Sequence, residues 1–164
     1  MQLPSRRRVL RLAAVYPFLF PKILSGQTFR ELSVEFLETE LKKFKGLSDG
    51  CRNAVHALRA DNSEIIVLGD LLERSTFVED YLVGERFSVR IYNGLSCKTD
   101  RDIARPILKQ QTLYYSIMMG GEIDKIGMLL PGSKVLSTVQ SGDKMRDEIR
   151  SLKETFESFA ASLG

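Results

Sequence analysis

Apolar residues recur every three or four positions near both ends of the chain, and this spacing predicts amphipathic helices. A capping-box pattern at Thr28 opens the first helix, which we expect to end at Gly46. A shorter helix is predicted from Ser48 to Leu58. The last predicted helix begins at Ser141 or Asp143, and its apolar stripe contains Met145, Ile149, Leu152, Phe156 and Phe159.

Between these helices the pattern has a shorter period and predicts strands. The apolar run from Glu64 to Asp70 fits a buried strand or a helix start, and its β-branched residues favour a strand slightly. Phe77–Leu82 is a second candidate strand. Apolar and polar residues alternate from Phe87 to Tyr92, Asn93-Gly94 is a strong hairpin signal, and Leu95–Lys98 would be the returning strand.

One more helix and one more hairpin complete the predicted order. Asp100 or Asp102 caps the helix, Pro106 lies in its first turn and Gly120-Gly121 end it. The second hairpin turns at Pro131-Gly132. The order α-α-(β)-β-β-β-α-β-β-α predicts an α/β (α+β) fold, with a mixed central sheet flanked by helices. No GxGxxG or GxxxxGK[ST] motif supports a doubly wound nucleotide-binding fold.

The charge is uneven along the 164 residues, which by length form one domain. Residues 1–30 hold six basic residues and no acid, so the remaining chain has more acids than bases. We expect a basic, partly apolar arm at 1–27 and a single domain at 28–164. The arm is interpreted as a phosphate- or partner-binding segment, a solubilising tail or an organellar transit peptide. Arg11, Pro17 and Pro21 argue against a signal peptide or a membrane span.

Few residues offer metal or nucleophilic chemistry. Cys51 and Cys97 are isolated in the sequence and His56 is the only histidine, so a structural zinc site or an iron–sulfur cluster is disfavoured. A Cys-His nucleophile pair is disfavoured because His56 lies in a predicted helix. Nothing in the cysteine pattern implies an oxidising compartment, so we expect an intracellular protein.

The motifs "RFSVRIY", "NG", "LSCKT", "LKQQTLYY" and "GMLLPGSKV", followed by an amphipathic helix, occur in this order between Phe77 and Leu163. Together they resemble the RecB-like branch of the PD-(D/E)XK nuclease superfamily. The resemblance covers about half of the chain and implies a restriction-endonuclease-like core. In that family, two carboxylates hold Mg²⁺ or Mn²⁺, and a lysine adds positive charge beside the attacking water.

The residues at the matching positions imply a degenerate site. Lys98 matches the family lysine, and Gln110 or Gln111 matches the helix glutamine. The two metal-binding acids are replaced by Ser96 and Arg90. No metal or other cofactor is therefore expected on this alignment. If catalysis were retained, the metal would need displaced acids such as Asp80 and Asp100, with Glu35 and Glu38 as further candidates.

Three functions follow as expectations. The first is nucleic-acid binding, or an accessory role in nucleic-acid processing, by a nuclease-fold domain without its metal acids. The arm residues Arg6, Arg7 and Arg8 would then act with Arg101, Arg105 and Lys109, which are spaced by four on one helical face. The second is an active Mg²⁺-dependent nuclease with displaced acids. The third is a module that binds a protein partner or forms a homo-oligomer.

Overall fold

The computed structural model describes residues 32–58 and 62–164, and over these ranges the chain is a bundle of four α-helices. They are α1 (Val34–Ala57), α2 (Glu64–Gly94), α3 (Lys98–Leu129) and α4 (Leu136–Ser162), with a 3₁₀ turn at Leu130–Gly132. Each helix packs mainly on the next in the chain, and the connections are short, so neighbouring helices run antiparallel. An ion pair between Lys43 of α1 and Glu148 of α4 links the first helix to the last.

The buried residues of the helices are spaced alternately by three and four positions. This average period of about 3.5 residues is the coiled-coil repeat, which keeps one seam of each helix turned towards its neighbours. In α2 the seam contains Leu68, Leu71, Ser75, Val78, Leu82, Glu85 and Val89, and in α4 it contains Thr138, Gly142, Met145, Ile149, Leu152 and Phe156. The described core therefore runs along the bundle axis as a series of layers.

Polar side chains inside these seams set the register between neighbouring helices. Ser48 Oγ of α1 lies 2.8 Å from Ser75 Oγ of α2 and also bonds Glu79, while Ser75 donates to the Phe44 carbonyl at 3.2 Å. Between α2 and α3, Arg74 donates to buried Glu122 at 3.1 Å. A shift of either helix pair by one layer would leave these groups unpaired in the core, which is costly.

The predicted α/β fold is therefore wrong. The described residues contain no strand, whereas a PD-(D/E)XK domain requires a central sheet. The segments 64–70, 77–82 and 87–92, predicted as strands, all belong to α2. Leu95–Lys98 is the link to α3 and its first residue, and the second predicted hairpin is the end of α3 with the 3₁₀ turn. The resemblance to the RecB-like nucleases and the restriction-endonuclease-like core are contradicted with it.

The alternation that suggested a strand arises from two faces of one helix. Val89 belongs to the inner seam and is 2% exposed, whereas Phe87, which is 65% exposed, and Ile91 lie on the outer side of α2. When both faces of a helix carry apolar residues, a short window contains apolar positions two apart and imitates a strand. Asn93-Gly94 ends α2 and makes no hairpin.

The predicted helix boundaries also differ from the observed ones. The predicted stop at Gly120-Gly121 lies inside α3, and Pro106 lies inside α3 instead of in its first turn. The two predicted helices before residue 58 form one helix whose N-cap is Ser33, while Thr28 lies outside the described residues. The terminal helix and its buried apolar stripe are confirmed, but the helix begins earlier, at Leu136.

Two glycines allow a matched test of the α3–α4 packing. A Cβ at Gly142 would lie 2.2 Å from a methyl carbon of Leu130, whereas a Cβ at Gly121 would meet nothing within 4 Å. Alanine favours a helix over glycine by up to about 1 kcal/mol. We expect Gly121→Ala to raise the free energy of unfolding and Gly142→Ala to lower it, measured by urea denaturation. Equal stabilisation by both substitutions would contradict close packing at Gly142.

Candidate functional site

The predicted catalytic residues do not form a site. Lys98 starts α3 and is exposed, while Gln110 lies twelve residues later, about 18 Å along the helix axis. Gln110 is also exposed, and the Gln111 amide donates to the Tyr115 hydroxyl at 3.3 Å. These side chains therefore follow the length of a helix and do not line a common cleft.

The acids predicted as replacement metal ligands are also dispersed. Asp80 lies on the exposed side of α2, beside Tyr81, which stacks on Tyr115 in the middle of α3. Asp100 lies in the first turn of α3, about 22 Å from Tyr115 along the axis. Glu38 of α1 pairs with Arg86 and Arg90 of α2. Across 32–58 and 62–164, no three His, Cys, Asp or Glu side chains converge on a position where they could hold a metal ion.

The predicted basic face lies on the first turns of α3, and two of its three members are engaged locally. Arg105 pairs with Asp102 at 3.4 Å, and the Arg101 guanidinium donates to the Leu95 carbonyl. Lys109 is half-buried. Arg6, Arg7 and Arg8 lie outside the described residues. The surface at the start of α3 is therefore basic, but Asp100 and Asp102 dilute its charge.

A buried carboxyl that the sequence analysis did not identify lies between α2 and α3. Glu85 is fully buried, one of its oxygens contacts the Thr112 hydroxyl, and the other has no partner among the described residues. Thr112 also donates to the Leu108 carbonyl at 2.9 Å. A hydroxyl has one proton, so both contacts are satisfied only when Glu85 is protonated and donates to Thr112.

Burial raises the pKa of Glu85 to about 7, although the bond to Thr112 lowers it. Other buried acids of the bundle have partners. Glu122 pairs with Arg74 and Lys125, and Glu64 accepts from Ser133 Oγ and from the Lys134 backbone, both at 2.7 Å. Glu85 is thus a titratable defect in the α2–α3 seam. No reacting group adjoins it in the described part of the chain.

The raised pKa predicts that the bundle loses stability as the pH rises. The carboxyl titrates near 4.5 when unfolded and near 7 when folded, so the folded state holds more protons between these values. Stability should fall by about 3 kcal/mol from pH 4.5 to pH 7 through this group, and then level off. In thermal melts, Glu85→Gln should stabilise the protein at pH 8 and remove this loss. Glu154→Gln, on the exposed face of α4, is the control, and equal pH profiles for both variants would contradict the assignment.

The two cysteines differ in exposure and acidity. Cys97 is the exposed N-cap of α3, and bonds from the Asp100 and Thr99 backbone lower the pKa of its thiol. Cys51 is buried in α1, and desolvation raises the pKa of its thiol. The two thiols lie on different helices, and His56 is exposed near the end of α1.

This difference predicts selective alkylation. Iodoacetamide should modify Cys97 and spare Cys51 in the folded protein, and should modify both in urea. Peptide mass spectrometry measures the extent of labelling. Labelling of Cys51 at the rate of Cys97 under native conditions would show that α1 does not bury its thiol.

The most distinctive surface of the described bundle is the outer side of α3. Twelve large apolar side chains are exposed, and six belong to this helix: Ile103, Ile107, Leu113, Tyr114, Ile117 and Met128. Five of them fall on a line with alternating steps of four and three, which we call the outer seam: Ile103, Ile107, Gln110, Tyr114, Ile117, Gly121, Asp124 and Met128. The inner seam of α3, which includes Leu108, Met119 and Ile126, is buried. This one helix thus presents coiled-coil spacing on two opposite faces.

A shallow groove lies on α2 and is lined by Val83, Gly84, Arg86, Phe87 and Arg90. Its volume is about 330 Å³. Both of its guanidinium groups are within 4 Å of Glu38, and it contains no carboxylate or nucleophile. The groove offers apolar contact and no catalytic group.

Comparison with known proteins adds no assignment. The chain matches no known family, and no curated protein and no solved structure matches it either. A separate property concerns membranes: none of the described helices combines the length and the apolar character needed to cross a bilayer.

Proposed function

We propose that this protein is an assembly module that packs the outer seam of α3 against a helix of a partner protein. The observation that carries the proposal is the second heptad-spaced apolar face of α3. Neighbouring helices cover its inner face, whereas Ile117 on the outer face is 70% exposed. A helix with two apolar faces is typical of a position between two packing partners.

The energetics favour a covered outer seam. Burial of an exposed isoleucine or methionine side chain contributes roughly 1.5–3 kcal/mol. Contiguous apolar patches on monomeric proteins are usually small, and larger ones mark interaction sites. In contrast, α1 has no large exposed apolar side chain among its described residues. The apolar surface is therefore concentrated on one helix.

Nucleic-acid binding through Arg101, Arg105 and Lys109 is the weaker proposal. The Arg105–Asp102 pair and the bond from Arg101 to the Leu95 carbonyl engage two of the three cations within the protein. Asp100 places a further negative charge in the same turn. Phosphate contacts would have to compete with these local bonds.

Site-specific photo-crosslinking in cells that naturally make the protein tests the assembly module. We expect a benzophenone side chain at Ile117 to form an adduct of discrete mass, because the outer seam is covered. Ile66 on α2 is the control because it is also 70% exposed but lies outside the seam. Equal adduct yields at both positions, or no adduct at Ile117, would contradict the proposal.

A further inference from the structure

We propose that the helix packed on the outer seam is α3 of a second copy of this chain, running antiparallel to the first. This inference rests on the proposed function and specifies its partner. An antiparallel homodimer is closed by a two-fold axis, so one seam must complement itself. The order of residues along the outer seam meets this requirement.

Antiparallel pairing about the middle of the seam produces layers of complementary residues. Tyr114 lies opposite Ile117 of the second copy, and the two-fold axis makes this contact twice at the centre. Ile103 at one end lies opposite Met128 of the second copy. The centre and both ends of the interface are then apolar, as expected for a coiled-coil seam.

The remaining layers are complementary in size. Gln110 lies opposite Gly121 of the second copy, where even a Cβ would meet nothing within 4 Å, so there is open space for the longer side chain. At the flank, half-exposed Leu113 lies opposite Gly120. Large residues thus face small ones twice in each half of the interface.

A parallel arrangement fits less well because identical residues would face each other. Asp124 would oppose Asp124, Gly121 would leave a void opposite Gly121, and the two Gln110 side chains would compete for one layer. In the antiparallel dimer, Asp124 instead lies opposite Ile107, towards the ends of the seam. Its carboxylate is exposed and can keep contact with water there.

The size of the seam suits a dimer. From residue 103 to residue 128 it extends about 38 Å along α3. A specific complex ordinarily buries about 800 Å² on each partner, and a helical seam of this length with six exposed large apolar side chains is of that order.

Sedimentation equilibrium of the purified full chain measures the association. We expect a concentration-dependent dimer for the wild type and at least a tenfold higher dissociation constant for Ile117→Glu. Ile66→Glu introduces the same charge at a site of equal exposure and should leave the dimer intact. Circular dichroism checks that both variants keep their helical content. A wild type that stays monomeric at several hundred micromolar would overturn the second copy as partner, and so would equal weakening by both variants.

Thiol crosslinking determines the direction of pairing. In a Cys97→Ser background, Gln110→Cys and Gly121→Cys chains are prepared separately and treated with a short bis-maleimide. We expect covalent dimers only when the two chains are mixed and re-equilibrated, because position 110 faces position 121. Crosslinking of each chain with itself, without a mixed product, would overturn the antiparallel arrangement.

These results separate the two proposals. A monomeric purified chain that still forms an adduct with a different protein at Ile117 in cells overturns the homodimer and leaves the assembly module standing. Absence of both the dimer and the adduct overturns both proposals.

Discussion

Interdigitation of side chains spaced by three and four residues is the constraint on which this bundle depends. Each helix must turn one seam inward over most of its length, and the polar groups within the seams must find partners across them. The Ser48–Ser75–Glu79 cluster and the Arg74–Glu122 pair meet this condition and set the register of α1 on α2 and of α2 on α3. Glu85 meets it only when protonated, so the α2–α3 seam contains its own pH-sensitive layer.

The same spacing on the reverse of α3 connects the fold to the proposed function. The inner seam holds α3 in the bundle, and the outer seam leaves Ile103, Ile107 and Ile117 in water. Thr112, which bonds Glu85, lies on the inner side of the helix between seam residues Gln110 and Tyr114. The buried carboxyl and the centre of the proposed interface therefore act on the same turns of one helix. This places the core defect and the binding surface in mechanical contact through its backbone.

Sequence reasoning succeeded where a helix has one apolar face and failed where it has two. The stripe of Met145, Ile149, Leu152 and Phe156 could be predicted because the opposite face of α4 is polar. In α2, the apolar residues of the outer face fall between those of the inner face, so Phe87, Val89 and Ile91 imitated a strand. The nuclease resemblance depended on that error. With α2 and α3 helical, Lys98 and Gln110 lie about 18 Å apart on one surface, and the predicted site is lost.

The sequence by itself determined the helical seam of α4, the scarcity of metal-binding side chains and the basic character of the first turns of α3, because these depend on residue type and local spacing. Only the tertiary structure decided which apolar residues are buried, because two faces of one helix are chemically alike until neighbours cover one of them. It also decided that Glu85 is enclosed without a full set of partners, and that Ile107 and Ile117 remain uncovered. Burial is a property of the packed bundle, and on this chain it separates the core from the proposed binding surface.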